Sequence, residues 1–392
     1  MSMTKPLIAV IAVVAIVGGV AAYGFSAGWF DQAPVEKEYV EYDSSKGWNS
    51  WAPKTYVIDS SLLSASPYNT ITARNLTEWY YDIKVEDKYT LKDVPADYYT
   101  FESVVSHNDK GQLVIKSFAK SDAENYTSRD IVVDKVPDYW MTSGSQIVTM
   151  YYILCEVHGV KYSDYDDAVL TELWDLIYAT DAAGYSPDRI TKNYGIPSTK
   201  FHGEILKSST DTTGNTEQYT DILDAVHSEG KTIMYTMSGS MVSWVNGKAT
   251  WITEQCEASG NYATIFNISR IPNVLAMTEA FAYIMGYGDK AQSIIDNMRV
   301  SLYNTQKAAE AAAAKLPYQH SAVSTYVNND WTFGTDSMSQ EFFDIMQIKN
   351  IYTGISKTLE GLDEIVVEKQ PEFLFMTGKE PIDEKQLYRI KS

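Results

Sequence analysis

The residues able to do chemistry in this chain are few and widely spaced. A protein-bound zinc or manganese ion needs several histidines with a carboxylate at close range. The five histidines are His107, His158, His202, His227 and His320, far apart and without a local pattern. No metal set is therefore expected. His202 stands beside Phe201 in the stretch after Pro197. No Gly-x-Ser-x-Gly nucleophile motif and no phosphate-binding loop occurs, and no carboxylate pair stands out, so catalysis is not expected. Binding chemistry is better represented. Ser143-Gly144-Ser145 opens a helical pattern, where free backbone N–H groups can either hold an anionic group or make an ordinary cap. Ser238-Gly239-Ser240 follows an apolar run, with Trp244 nearby. The stretch from Tyr326 to Gly334 carries Trp331 and Phe333 in a polar setting, suited to covering a planar ligand or to packing on the chain itself. Arg270 can pair with a ligand carboxylate or make a structural ion pair.

These residues have to be positioned by regular elements, and the second half of the chain supplies them. Apolar runs at 139–142, 232–237, 262–268, 322–327 and 373–376 read as strands, and helical patterns lie between them. Such alternation predicts a mainly parallel sheet. A helix over 251–259 ends at Gly260, an amphipathic one spans 274–287, and Ile351–Ile355 reads as a short strand. A very long helix runs from Asp289 to Lys315 with Ile294, Ile295, Met298 and Leu302 as its buried seam, and Pro317 stops it. At 1.5 Å per residue it is a rod of roughly 40 Å, long enough to join two domains. Gln112–Phe118 and Ile131–Val133 read as further strands, whereas 56–111 shows no readable pattern.

Composition excludes some partners. The net charge of −19 and the pI near 4.7 leave no basic surface for nucleic acid or for broad docking on anionic lipid. Cys155 and Cys256 are the only cysteines, able to form one bridge or to stay as two buried thiols. Leu7–Tyr23 is an apolar run preceded by Lys5 and followed by an acidic stretch. It reads as a membrane anchor or as a cleaved secretory signal, and either places the body outside the cytoplasm. Asn75, Asn125 and Asn267 begin glycosylation triplets.

Several segments, in order, resemble the helical-backbone class of ABC-transporter solute-binding proteins. They are Ser228-Glu-Gly-Lys-Thr-Ile-Met-Tyr235, Glu254-Gln-Cys-Glu-Ala-Ser-Gly260, Met285-Gly-Tyr-Gly-Asp-Lys-Ala291, Asp336–Met346 and Glu364–Gly378. The resemblance covers 112–378 and is closest in 254–378. It implies two Rossmann-like α/β lobes joined by a long rigid helix, behind the N-terminal transmembrane anchor. The corresponding division is an anchor or signal at 1–25, a linker at 26–55, a segment of unknown fold at 56–111, a first lobe at 112–271, inter-lobe helices at 272–316 and a second lobe at 317–392. That second lobe is expected to be shortened at its end.

The family captures iron–siderophore complexes, haem or cobalamin without chemistry and delivers them to a permease. The resemblance thus implies an iron chelate, haem or corrinoid ligand in a cleft between lobes, with His202 as the most cleft-like histidine and a candidate to ligate its iron or cobalt. It also implies acidic residues that dock on the permease: Glu364 in the second lobe and, in the first, Glu217, Asp221 or Asp224 around the aligned Leu223. The alternatives are a membrane-anchored surface structural or adhesion protein that kept the fold and lost the ligand, or a metal-cofactor enzyme.

Overall fold

The computed structural model describes residues 88–120, 126–162, 166–181, 215–238, 254–314, 319, 321–326, 331–358, 369 and 373–377. The apolar run at 7–23, His202, Trp244 and Glu364 lie outside them. Among the described residues no helix is long and apolar enough to cross a membrane. The described chain divides into two compact units, and the division falls between Ser301 and Leu302.

The first unit is built on a four-stranded parallel sheet. Its strands are β4 (Tyr139–Ser143), β5 (Ile177–Asp181), β6 (Ile233–Ser238) and β7 (Tyr262–Phe266), in the order β5-β4-β6-β7. These strands read clearly in sequence because parallel strands are covered on both faces and so become continuous apolar runs. Ile233 to Met237 and Tyr262 to Phe266 are indeed buried at every position. Helices α1 (Gly144–His158) and α2 (Asp167–Leu176) connect β4 to β5. Asp166 caps α2, its Oδ1 accepting from Ala168 N (2.9 Å) and Val169 N (3.2 Å). Helix α3 (Asn215–Ser228) buries Ile222, Leu223 and Val226. Gly230, at φ 68°, ends it in a Schellman turn, with Gly230 N donating to His227 O and Lys231 N to Val226 O. Residues 254–258 form a helical turn that Gly260 closes in the same way.

Helix α4 (Ile271–Ile284) departs from the expected amphipathic pattern. Ten of its residues are buried, from Ile271 through Ile284, so it is a core helix covered nearly all round. After a 3-10 turn at Gly288–Lys290, helix α5 (Ala291–Ala313) runs 23 residues, about 35 Å. Ile294, Ile295, Met298 and Leu302 are buried along it as expected. Cys155 and Cys256 are both buried and are not joined in a disulfide.

The segment that sequence left unread holds a strap and a strand. Arg299 of α5 donates through Nε to Tyr98 O (2.9 Å) and through Nη2 to Pro95 O and Ala96 O (both 3.1 Å). Ser103 Oγ donates to Glu279 Oε2 (2.6 Å). The chain then enters β1 (Val105–His107), which pairs antiparallel with β2 (Leu113–Lys120), itself paired with β3 (Tyr126–Val133). This small sheet meets the outer edge of β7: Ile265 N donates to Ser117 Oγ (2.7 Å), and the Tyr262 hydroxyl donates to Asp134 just beyond β3. An open strand edge invites foreign pairing, and Ser117 occupies part of this one.

In the second unit, β8 (Ser321–Tyr326) pairs in parallel with β10 (Lys349–Asn350) and β12 (Phe373–Thr377). The two-residue strands β9 (Trp331–Thr332) and β11 (Lys357–Thr358) pair antiparallel beside it. Helix α6 (Met338–Ile345) buries Met338, Phe342, Phe343 and Ile345. The strand expected at Ile351–Ile355 is absent there; β10 precedes it and the chain bends through 351–356. The fold is thus α/β, with parallel strands in both units.

Candidate functional site

In an open parallel sheet, ligands bind outside the carboxyl ends of the strands, where the strand order reverses direction. The order β5-β4-β6-β7 reverses between β4 and β6. From β4 the chain passes to β5 on one side, then returns to the other side for β6. Both Ser-Gly-Ser segments begin there. Ser143 is the last residue of β4, in register with Asp181 of β5, and Gly144 and Ser145 open α1. Ser238 is the last residue of β6, in register with Phe266 of β7. Two serines that are 95 residues apart in sequence, Ser143 and Ser238, thus end neighbouring strands.

Below this rim lies a fully buried polar cluster that sequence reasoning missed. Thr142 Oγ1 donates to Gln146 Oε1 (2.6 Å). The Thr236 hydroxyl lies 2.6 Å from Thr142 Oγ1 and 2.8 Å from Gln146 Oε1, its single hydrogen shared between them. Gln146 Nε2 faces Met277 Sδ of α4 at 3.9 Å. All three polar side chains are at most 1% exposed. The one visible signal is a threonine one residue ahead of Ser143 and another two residues ahead of Ser238, and threonine is too common in strands to be singled out on that basis.

The remaining candidates are distributed as follows. Arg270 is half-buried at the N-cap of α4, four residues beyond β7. Glu217 lies in α3; Asp221 and Asp224 are exposed on that helix, while Leu223, the residue aligned with the family's docking acid, faces the core at 3% exposure. In the second unit Tyr326 ends β8 in register with Thr377, and Trp331 opens β9. Phe333 is half-buried, its N–H donating to Ser324 O (2.9 Å) and its carbonyl accepting from Asn350 Nδ2 (3.4 Å). The three aromatic positions therefore fall at the carboxyl end of β8.

Around them two loops are tied together. Asp336 Oδ1 accepts from Ser356 N and Oγ (both 2.7 Å), and Gly334 N donates to Ser356 Oγ (2.9 Å).

Shifted titrations lie on the supporting elements. Burial raises Glu279, against the lowering effect of the Ser103 hydrogen bond. Burial, with a hydrogen bond to Glu172, pushes Tyr287 up to about 12. Among the described residues no three His, Cys, Asp or Glu side chains gather as a metal site.

No family model matches the chain, and no curated protein matches it. Solved structures do. The chain is similar to a petrobactin-binding protein from Bacillus subtilis, with 12% identity and a TM-score of 0.44 over 71% of this chain and 83% of that one. It is similar to a periplasmic heme-binding protein from Pseudomonas aeruginosa, with 11% identity and a TM-score of 0.43 over 65% and 78%. A possible iron-binding, periplasmic solute-binding protein from Staphylococcus epidermidis gives 10% identity and a TM-score of 0.40 over 62% and 78%. A likeness this distant carries no argument about function.

Proposed function

We propose that this chain is the extracytoplasmic solute-binding component of an ABC importer, taking an iron chelate, haem or corrinoid without chemistry. The observation that carries the reading is the strand order β5-β4-β6-β7, with Ser143 and Ser238, the first residues of the two Ser-Gly-Ser segments, ending the strands at its point of reversal. Tyr326, Trp331 and Phe333 at the carboxyl end of β8 add aromatic positions suited to a planar ligand. The ordered segments of the sequence resemblance support the same class. In this reading each unit is a Rossmann-like lobe, α5 is the connecting backbone helix, and the apolar run at 7–23 anchors the body outside the membrane.

Titration of the full chain with haem, cobalamin and ferric siderophores, read by tryptophan fluorescence, tests it directly. Saturable quenching by one class is the expected result, and silence toward all of them sinks the proposal.

A further inference from the structure

The polar cluster beneath the reversal point needs an explanation that core stability does not give. Burying a hydroxyl or an amide costs free energy unless it is hydrogen-bonded, and a satisfied cluster gains little over well-packed apolar side chains. Its neighbours on the same strands, Trp140, Met141, Ile233, Met234 and Tyr235, form an apolar core. What hydrogen bonds add is direction. The cluster joins the end of β4, the body of β6 and the first turn of α1, with Met277 of α4 behind.

The first turn of a helix is its least constrained part, because its N–H groups have no partners within the helix. Gln146 lies in that turn, directly after Gly144-Ser145. Two threonine hydroxyls on two strands converge on its one carbonyl oxygen. A single acceptor thus fixes three elements at the place where the strand order reverses.

We propose that Thr142, Gln146 and Thr236 are positioning residues for the solute site: they set the backbone at the carboxyl ends of β4 and β6 and the entry into α1. This rests on the solute-binding reading for its consequence, though not for its local effect. Loss of either threonine hydroxyl releases the entry of α1, and the site then spends part of its time in other geometries. Apparent affinity falls in proportion to the competent fraction.

The test uses the full chain with Thr236→Val, which keeps the side chain's shape and removes the hydroxyl, and Thr236→Ser, which keeps the hydroxyl. Gln146→Leu is a second disrupting variant; if it does not fold, Thr236→Val alone decides. The first readout is hydrogen exchange at Val148, Thr149 and Met150, whose helical acceptors are the carbonyls of Gly144, Ser145 and Gln146. In Thr236→Val these amides exchange about tenfold faster, as expected for one lost buried hydrogen bond. Those of α2 and β7 keep their rates, and Thr236→Ser restores the wild-type pattern. Unchanged exchange at 148–150, or acceleration spread evenly over the first unit, overturns the proposal. The second readout is affinity for whichever of haem, cyanocobalamin or a ferric hydroxamate binds the wild type. Thr236→Val weakens it about tenfold and Thr236→Ser by less than twofold; equal affinity in all three overturns the positioning role. If no probe binds the wild type, the solute-binding reading fails, and the exchange result still decides the local claim.

Discussion

Gly334 stands so close to Gly354 that a Cβ built on it would lie 2.0 Å from the Gly354 carbonyl oxygen. The obstacle is backbone, held in turn by Thr335 N donating to Gly354 O (2.9 Å). Tyr352 closes the other side, its hydroxyl donating to Ile355 O (2.8 Å). Gly334→Ala therefore has to part the loops that fix Phe333, and we expect a loss of about 3 kcal/mol, typical of overpacking against an unyielding neighbour. Denaturant unfolding followed in the second unit measures it. A loss below about 0.5 kcal/mol would show that the loops are not locked.

The parallel strands were legible because burial on both faces writes itself into the sequence as an apolar run. Ile233–Met237 is the clearest case. The α4 helix misled for a related reason: with ten buried positions, its few polar residues look like one face of an amphipathic helix. The strap before β1 was illegible because much of what holds it is distant in sequence. Three of its backbone carbonyls, at 95, 96 and 98, are held by Arg299, about 200 residues away. The Thr142–Thr236 contact hides similarly, since neither residue departs from what a strand ordinarily contains. The Ser-Gly-Ser segments stand out in the sequence, but only strand order brings Ser143 and Ser238 to the ends of neighbouring strands.

Arg299 gives the second prediction. Its planar fork satisfies three carbonyls at once, while Asp296 stands 3.8 Å from Nη1. Arg299→Ala strips these partners and should free the strap, at a cost of about 2 kcal/mol. Arg299→Lys should rescue little, because one ammonium cannot reproduce the fork. Limited proteolysis reads the outcome: cleavage within 94–101 should appear in both variants and not in the wild type. Protection of that stretch in Arg299→Ala would mean that other contacts carry it.

A pH dependence follows from Asp138. Burial alone would raise its carboxyl, but the Thr232 N–H (2.9 Å), Lys231 Nζ (3.1 Å) and the Thr232 hydroxyl (3.1 Å) outweigh that and hold it below 3.8. A carboxyl depressed in the folded state contributes stability that is full above its unfolded value and is lost as pH falls through the folded one. The acidic limb below about pH 4 should therefore contain an Asp138 component. Lys231, raised above 10.5 chiefly by its hydrogen bond to Asp138, contributes below that value and loses its contribution as pH rises through the folded one. Asp138→Asn should lower stability by about 1 kcal/mol at neutral pH and flatten both limbs. The difference between wild-type and variant denaturation midpoints across pH isolates the effect from other carboxylates. A difference constant with pH would exclude this linkage.

The last prediction concerns the partner. On α3, Ile222, Leu223 and Val226 face the core while Asp221 and Asp224 are exposed, so the helix presents two carboxylates to solvent beside an inaccessible Leu223. If the chain delivers solute to a permease, these two carry the docking charge that the resemblance assigns to position 223. Charge pairs at an interface rim act mainly on encounter, and salt screens them. The double variant Asp221→Lys and Asp224→Lys should leave probe affinity within twofold and slow association with the reconstituted permease about tenfold at low salt. The difference should shrink as ionic strength rises toward 1 M, where the screening length is about 3 Å. A salt-independent defect would point to lost packing rather than lost charge. Wild-type association would move the docking charge away from α3 altogether.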